Sequence, residues 1–349
     1  MQRPEILRNS SLMDISDAVF ISSLPHRQSF FEKGGWLRCS GPDDSEWRQF
    51  LKKNFSDIDI RYAENEAARY KKIGAAPGNK KDVFDTNVVH IWQDSYPLNL
   101  KQIFDPPPVL FYCGENPGKI IDGSYNKIAI VGTREPAPIT LAAIDEYLTQ
   151  IGTLRENSVI ISGLARGVDA YAHRSALKKK IPGIAVLGAG LNHAGPASSR
   201  DIPKRYWNAG VPFSLISEFA PHIRGYAGNF PRRNRIIAGL SDTVGIMQAP
   251  YKSGAMITAR YALDEGRDVA AFDHSLLYPP GFNEGARSLI ESGATFLKFF
   301  SLEKNLIYNF SSSSREGEKQ LEFWEKKQSG NILWLGDNIY LDRSADTEE

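Results

Sequence analysis

Short apolar runs and helical patterns alternate along residues 127–300 of this chain. The apolar runs are rich in β-branched residues and end at glycine or polar residues, which is typical of buried strands. Strands are predicted at residues 127–131, 158–162, 183–188, 213–219, 242–249, 268–272 and 295–300. Helices are predicted between them, most clearly at residues 139–151, 168–180, 235–241 and 255–266, with a short one at 285–292. Strands separated by crossover helices predict an α/β domain with a doubly wound, Rossmann-like and mainly parallel sheet.

The residues before this alternation follow a different pattern. Residues 1–87 are mixed and mostly helical in character, which predicts a small helical N-terminal domain. Residues 88–115 alternate apolar and polar positions around the rigid segment DPPP, so we expect an extended piece that leads into the sheet.

The chain becomes polar after residue 300. The stretch SSSSREGEKQ predicts a linker or flexible loop, residues 331–342 predict a hairpin around Gly336 and Asp337, and the last residues are expected to be disordered. The predicted organisation is a helical domain at 1–87, a Rossmann-like domain at 88–300 and a tail at 301–349.

The composition is that of a soluble globular protein. Of the 349 residues, 42% are hydrophobic and 24% are charged, no run of eighteen apolar residues occurs, and the start lacks the apolar stretch of a signal peptide. We therefore expect a cytoplasmic protein without a membrane span. The two cysteines, Cys39 and Cys113, match no metal-ligand spacing, which predicts free thiols and no metal site.

The charge of the chain is uneven. Residues 127–298 contain 20 basic and 14 acidic residues, a net charge of +6, although the whole chain carries only +1. The basic part of the chain is therefore the predicted sheet domain, which is a modest signal for nucleic-acid binding.

Four turns that follow predicted strands have compositions suited to anions: VGTREP, SGLARGVDA, LGAGLN and YKSGAMITA. In a doubly wound sheet such turns lead into helix N-termini, whose amides and positive dipole end attract phosphate. The candidate phosphate-binding residues are Thr133, Arg134, Gly163, Arg166, Gly167, Gly188, Gly190, Lys252, Ser253, Gly254 and Thr258. One glycine pair of this kind is usually turn geometry alone, but four turns at one sheet edge predict a shared phosphate pocket.

The stretch FPRRNRIIAGL brings Arg232, Arg233 and Arg235 together immediately before a predicted helix. It follows the strand predicted at 213–219, so these arginines are expected near the same sheet edge. A mononucleotide needs one or two cationic groups, whereas several arginines suit a phosphate backbone that continues across the surface.

Neighbouring residues extend this interpretation. Phe230 and Tyr226 are candidates to stack on bases, although Phe230 suits the core equally well. Asn234 is expected to fix the loop rather than to contact a base, and one of the three arginines is expected to pair with Glu218 or Asp242 inside the fold.

Other ligand classes fit the sequence less well. The stretch GAGLNHAG lacks the spacing of a dinucleotide fingerprint, and no P-loop motif occurs. His173, His193 and His222 stand in no nucleophile or metal-ligand arrangement, so no catalytic residue and no cofactor is expected. A hydrolase built on Glu218 or Glu265 remains an alternative.

The chain resembles the DNA-processing protein A family, also called DprA or Smf, across residues 88–298. The resemblance runs in order through YPLNL, PPVLFYCGE, IAIVGTR, VIISGLARGVDAYAHRSAL, IAVLGAGL, LISEFA, FPRRNRIIAGLSD, SGAMITARYALDEGR and LIESGA. It implies an extended Rossmann fold that binds single-stranded DNA, brings the RecA recombinase onto it, helps displace single-strand-binding protein and acts in natural transformation. It also implies a homodimer without enzymatic activity.

The resemblance assigns most of the candidate residues to a phosphate-binding face. These residues are Thr133, Arg134, Gly163, Arg166, Gly167, Arg233, Asn234, Arg235, Ser253, Gly254 and Thr258.

Three positions depart from the family pattern: Asn192, the pair Asp273-His274, and Arg287. The family usually has an aspartate, a Pro-Gly pair and an asparagine there, so we expect a different loop after Asn192 and a different far end of the pocket. Because the tail is short and polar, we also expect no full winged-helix domain of the kind that many relatives possess.

Two other classes of function compete with DNA binding. The first is a nucleotide sensor or a phosphoribohydrolase-like enzyme of the same superfamily, although the typical GG-x-GT-x-x-E turn of those hydrolases is replaced here by SGAMITAR. The second is a protein-binding scaffold, which predicts no DNA binding.

Overall fold

The computed structural model describes residues 15–24, 45–70, 85–122, 125–153, 157–274, 278, 280–297, 307–309, 332–335 and 338–341. In the N-terminal part of these residues the helices are α1 (Ile15–Ser23), α2 (Ser45–Asn54) and α3 (Asp57–Tyr70). Helix α2 buries Phe50 and Leu51, whereas the lysines that follow them are exposed. The predicted helical character of the N-terminal segment is confirmed.

The described residues contain one large sheet of nine strands. The strands are β1 (Asn87–His90), β2 (Val109–Gly114), β3 (Asn126–Gly132), β4 (Ser158–Ser162), β5 (Gly183–Leu187), β6 (Phe213–Ser217), β7 (Thr243–Gln248), β8 (Asp268–Ala271) and β9 (Thr295–Phe296). Their order is β1-β2-β6-β5-β4-β3-β7-β8-β9. The β1–β2 and β2–β6 pairs are antiparallel, whereas the β4–β5, β3–β4, β3–β7, β7–β8 and β8–β9 pairs are parallel. The predicted α/β class and mainly parallel sheet are confirmed.

Helices alternate with these strands. They are α4 (Leu98–Lys101), α5 (Pro117–Ile120), α6 (Pro138–Thr153), α7 (Val168–Lys178), α8 (Ile202–Asn208), α9 (Asn229–Leu240), α10 (Gly254–Asp264) and α11 (Glu284–Glu291). A one-turn 3₁₀ helix at Leu191–His193 follows β5.

Helix α9 begins six residues earlier than the sequence predicts. Its first turn contains Pro231, which is tolerated there because the first amides of a helix have no intrahelical acceptor. The arginines of FPRRNR therefore lie on the first turns of a helix and not in a loop before it, which corrects the sequence-based interpretation.

The segment predicted to lead into the sheet forms two of its strands. Val109, Leu110 and Phe111 of β2 are fully or almost fully buried, and the backbone of β2 pairs with β6. At the other end of the chain, β10 (Ile307–Asn309), β11 (Ile332–Leu335) and β12 (Asn338–Leu341) form an antiparallel sheet in the order β10-β12-β11.

The predicted C-terminal hairpin is confirmed, since Leu335 pairs with Asn338. The Ser-rich linker, residues 298–300 of the last predicted strand, the terminal residues 342–349 and Cys39 lie outside the described residues.

The chain divides into two compact units. Unit 1 comprises Met1–Asp122, Val186–Ala194 and Pro212–Ile236, and unit 2 comprises Gly123–Ala185, Gly195–Val211 and Ile237–Glu349. The domain boundaries predicted from the sequence stay a prediction.

The core of unit 2 forms where two helices pack on the sheet. Ile144, Leu148 and Ile151 recur on one face of α6 and pack with Ile130 of β3 and Ala172 of α7. Strand β3 pairs with β4 on one side and with β7 on the other. The chain thus reverses its winding direction at β3, and the carboxyl ends of β3 and β7 flank a topological switch point of the kind at which α/β proteins bind ligands.

Candidate nucleic-acid interface

The turns after β3 and β7 in unit 2 are joined by hydrogen bonds. The amide of Thr133 donates to the carbonyl of Gln248 at 2.9 Å. The side-chain Oε1 of Gln248 accepts bonds from the amide of Ala137 at 2.8 Å and from the hydroxyl of Thr140 at 2.7 Å. Gln248 therefore holds the Thr133 turn and the start of α6 together. Gln248 was not among the site residues predicted from the sequence, because its only signal there is a polar residue at the end of an apolar strand.

The turn after β4 packs directly on the turn after β3. Gly167 has a φ of +85°, and a Cβ at this position would lie 2.5 Å from the carbonyl oxygen of Thr133. The amide of Val168 donates to that same carbonyl at 3.1 Å. This close approach requires glycine and brings the two turns together, so Gly167 acts through backbone geometry.

Two arginines of these turns are exposed. Arg134 lies on the surface of the first turn, and Arg166 of the second turn pairs with Glu135. The side chains of Arg166 and Glu135 are 59% and 56% exposed, so the pair is solvated and weak. Both guanidinium groups are accessible to an anion from solution.

Gly163 does not offer its amide to a ligand in this structure. That amide donates to Oδ2 of Asp169 at 3.1 Å, and the amide of Ala165 donates to the same oxygen at 3.4 Å. Asp169 thus caps the turn after β4. We leave Gly163 out of the phosphate-contacting residues proposed below because an internal carboxylate already uses its amide.

The turn after β7 leads into the N-terminus of α10. Lys252 and Gly254 are exposed, and Ser253 is the N-cap of the helix in extended conformation. The Oγ of Ser253 is buried, and no described residue forms a hydrogen bond with it. Thr258 is 1% exposed and donates to the carbonyl of Gly254 at 3.3 Å, so it stabilises the helix from inside and is also left out of the proposed contacts.

Two of the departures from the family pattern contact each other in unit 2. The Nε of Arg287 donates to Oδ2 of Asp273 at 2.9 Å, and this bond raises the pKa of Arg287. Asn283 donates to Oδ1 of Asp273 at 2.8 Å, and its own Oδ1 accepts the amide of Ala249 at 2.9 Å. Asp273 and Arg287 thus form an ion pair, and Asn283 connects this pair to Ala249 in the loop just before Lys252.

Arg235 of unit 1 is buried and forms internal ion pairs. Its Nη1 and Nη2 donate to the two carboxylate oxygens of Glu218 at 2.8 and 2.9 Å, and its Nε lies 2.8 Å from Oδ2 of Asp105. Burial lowers the pKa of Arg235, but the charges of Glu218 and Asp105 outweigh this effect and raise it. The prediction that one arginine of FPRRNR pairs with Glu218 is confirmed.

The neighbours of Arg235 also face the protein. Arg233 is 4% exposed, donates from Nη1 to the carbonyl of Val186 and donates from Nε to Oδ1 of Asn234 at 3.2 Å. These contacts give Arg233, Asn234 and Arg235 a structural role in anchoring α9. We therefore leave all three out of the phosphate-contacting residues that we propose, and their sequence-based assignment to the phosphate-binding face stays a prediction.

The two glycines after β5 serve close packing in unit 1. A Cβ on Gly188 would lie 2.8 Å from the ring of Phe230, and one on Gly190 would lie 2.0 Å from the carbonyl oxygen of Ala220. The amide of Gly190 donates to the carbonyl of Ile223 at 2.8 Å. Both glycines are explained by these contacts without a ligand.

Two aromatic side chains of unit 1 are exposed. Tyr226 is 64% exposed and Phe230 is 39% exposed, and Arg224 beside them is exposed as well. Arg232 lies over the ring of Phe219, with 5.6 Å between the guanidinium carbon and the ring centroid, and its Nη2 lies 3.4 Å from Oε2 of Glu218. This surface combines rings with cations, as single-stranded nucleic-acid sites do.

Three further findings concern other kinds of site. No cluster of metal-ligating side chains occurs among the described residues, and none of the described helices is long and apolar enough to span a membrane. Cys113 is buried, and burial is the main cause that raises the pKa of its thiol to about 11, so this cysteine is a poor nucleophile. Burial lowers the pKa of His173 to about 3.

Comparison with known proteins places this geometry in a family. A sequence model described as DNA recombination-mediator protein A matches residues 87–307. The DNA processing protein DprA of Bacillus subtilis is 36% identical over 208 residues, which is 60% of this chain and 67% of that protein. The Smf protein of Synechocystis is 40% identical over 204 residues, which is 57% of this chain and 48% of that protein.

Solved structures show the same fold. The DNA processing protein A of Streptococcus pneumoniae matches with a TM-score of 0.58 at 26% identity, over 87% of this chain and 98% of that chain. The DNA processing protein A of Helicobacter pylori matches with a TM-score of 0.53 at 24% identity, over 69% of this chain and 98% of that chain. Since the family match covers well over half of the chain, the protein belongs to the DNA recombination-mediator protein A family.

Proposed function

We propose that this protein is a single-stranded DNA-binding recombination mediator that holds the sugar-phosphate backbone at the switch point of unit 2. The proposed contacting residues are Thr133, Arg134, Arg166, Lys252, Ser253 and Gly254. We further propose that it works as a homodimer without catalysing a reaction, and that it loads RecA in place of single-strand-binding protein during natural transformation.

The observation that carries the proposal is the junction of two turns at the carboxyl ends of β3 and β7. One turn carries exposed Arg134, and the other carries exposed Lys252 at the start of α10. The bond from the amide of Thr133 to Gln248 keeps these turns adjacent. A phosphate there gains two cations and the positive end of a helix dipole.

Two further features favour a strand over a small anion. Residues 127–298 carry a net charge of +6. Unit 1, taken by itself, exposes Tyr226 and Phe230, and we propose that bases stack on them. The relative from Helicobacter pylori has been described with a single-stranded DNA binding mode, which supports extending that ligand to this chain.

The test is fluorescence anisotropy of labelled oligo-dT and of a duplex of equal length at several salt concentrations. The logarithm of the affinity for oligo-dT is expected to fall with the logarithm of salt by about 0.7 for each phosphate neutralised. Arg134→Ala and Lys252→Ala should each weaken binding and reduce this slope by about 0.7. Lys204→Ala serves as the control, because it removes an exposed lysine on α8, outside the proposed contacts.

Unchanged affinity and unchanged slope in both variants would contradict the proposed contacts. Loading is tested on the same oligo-dT coated with single-strand-binding protein. RecA filaments should form faster with the wild-type protein than with Arg134→Ala. Release of free base from nucleoside monophosphates would instead identify the protein as an enzyme.

A further inference from the structure

A groove of about 660 Å³ runs along the exposed side of α10 in unit 2. Its lining includes Tyr251, Lys252, Ser253, Ile257, Arg260 and Tyr261. Small-molecule sites in proteins have volumes of about 300–1,000 Å³. The groove is therefore large enough for a nucleotide unit.

The lining of the groove combines aromatic rings with cations. Tyr251 is 63% exposed, and the side chain of Arg260 is 85% exposed. The Nε of Arg260 lies 3.8 Å from Oδ2 of Asp264, which is a loose surface contact. An exposed tyrosine next to lysine and arginine is the combination that binds unpaired bases by stacking and their phosphates by charge.

The groove is continuous with the proposed phosphate site, because Lys252 and Ser253 belong to both. Arg260 lies six residues beyond Gly254, which corresponds to about 9 Å along the axis of α10 at 1.5 Å per residue. A strand whose phosphate sits at the start of α10 is thus led along the groove towards a second cation. The buried Oγ of Ser253, which no described residue contacts by a hydrogen bond, lies where the two sites meet.

We infer that the groove along α10 holds the nucleotide next to the phosphate bound at Lys252 and Ser253, with its base stacked on Tyr251 and its far side contacted by Arg260. This inference rests on the proposed function and adds a subsite to it. The shared chemistry of a base and a phosphate also suits a free nucleotide. Continuity with the phosphate site favours the strand.

The first experiment compares Tyr251→Ala with the wild-type protein in binding oligo-dT across the same range of salt. Loss of one stacked base should weaken binding about 5- to 150-fold. The salt slope should not change, because tyrosine carries no charge. Tyr251→Phe keeps the ring and should bind like wild type. Leu263→Ala is the control, because Leu263 is 58% exposed on α10 and does not line the groove.

The second experiment identifies the residues that contact the base. Oligo-dT containing 5-iodo-deoxyuridine is photo-crosslinked to the protein, and the crosslinked peptide is expected to contain Tyr251 or Tyr261. Crosslinks confined to other peptides would overturn the inference.

Failure of the subsite is distinguishable from failure of the proposed function. If the wild-type protein does not bind oligo-dT, the proposed function itself is wrong. If Arg134→Ala and Lys252→Ala weaken binding but Tyr251→Ala and Arg260→Ala do not, the groove inference alone is wrong. Thymidine monophosphate that binds as tightly as oligo-dT would assign the groove to a free nucleotide. A Tyr251→Ala protein that loses RecA binding but keeps full DNA affinity would assign it to a protein partner.

Discussion

The carboxylate of Glu218 is fully buried, and its charge is balanced by Arg235, whose side chain is only 6% exposed, and by Nη2 of Arg232 at 3.4 Å. Two parallel hydrogen bonds join Arg235 to Glu218, and Asp105 supplies a second carboxylate to the same guanidinium. Taking these charges out of water is costly, and only their mutual pairing offsets that cost. Removing either partner would therefore lower the free energy of unfolding, because the other charge would stay buried without those direct hydrogen bonds.

We expect Arg235→Ala to lower the free energy of unfolding by about 3–5 kcal/mol, because the buried carboxylate of Glu218 loses two direct hydrogen bonds and keeps only the half-exposed Arg232, 3.4 Å away, as a cationic partner. Chemical denaturation followed by circular dichroism measures this loss. Arg166→Ala removes the exposed pair with Glu135 and should cost less than about 1 kcal/mol. Arg235→Lys keeps the charge and should fall between the two. A loss for Arg235→Ala as small as that for Arg166→Ala would contradict the internal role.

At the scale of elements, the site depends on how the ends of β3 and β4 pack on each other. Gly167 allows this packing because it has a positive φ and no side chain against the carbonyl oxygen of Thr133. The turn that presents Arg134 is therefore positioned by the turn of the neighbouring strand.

Gly167→Ala should destabilise the protein by about 2 kcal/mol or more, since it adds backbone strain and a clash with main-chain atoms. The same change should weaken oligo-dT binding, because relief of the clash moves the Thr133 turn. Gly152→Ala is the control, because a Cβ there meets no atom within 4 Å and the residue lies in α6. That variant should be neutral or stabilised by up to about 1 kcal/mol. Equal effects of the two substitutions in unfolding experiments would refute this explanation.

At the scale of the whole molecule, the pH dependence of stability depends on a buried histidine. His173 is fully buried on α7, beside the ring of Tyr206, and burial lowers its pKa to about 3. In the unfolded chain its pKa returns to about 6.5, so between these values the unfolded state binds a proton that the folded state does not. The stability contributed by keeping His173 neutral is thus complete above about pH 6.5 and is lost as the pH falls towards 3.

We expect the denaturant midpoint of the wild-type protein to fall between pH 7.5 and pH 5. His173→Gln cannot be protonated in this range, so its midpoint should fall less. Urea unfolding at both pH values measures the difference, and ion pairs such as Glu218 with Arg235 contribute equally to both proteins. An identical fall in the two proteins would show that His173 does not cause it.

Much of the fold could be predicted because strands and helices leave local signals. The bounds predicted for β4 match the structure, and those of β3 and β7 differ by one residue at either end. The start of α9 could not be predicted from Pro231, which marks a break inside a helix but is harmless in its first turn. The pairing of Asp273 with Arg287 could not be predicted either, because in the sequence each is only a separate departure from the family pattern.

The sequence by itself determined the order of the elements, the positions of the turns and the family, since these depend on periodicity and on residues that are neighbours in the chain. Only the tertiary structure decided which cations are accessible. Arg235 is buried in contacts with Glu218, 17 positions away, and with Asp105, 130 positions away, whereas Arg134 and Lys252 lie on the surface. The physical reason is that a charge is buried only where distant parts of the chain bring a partner to it.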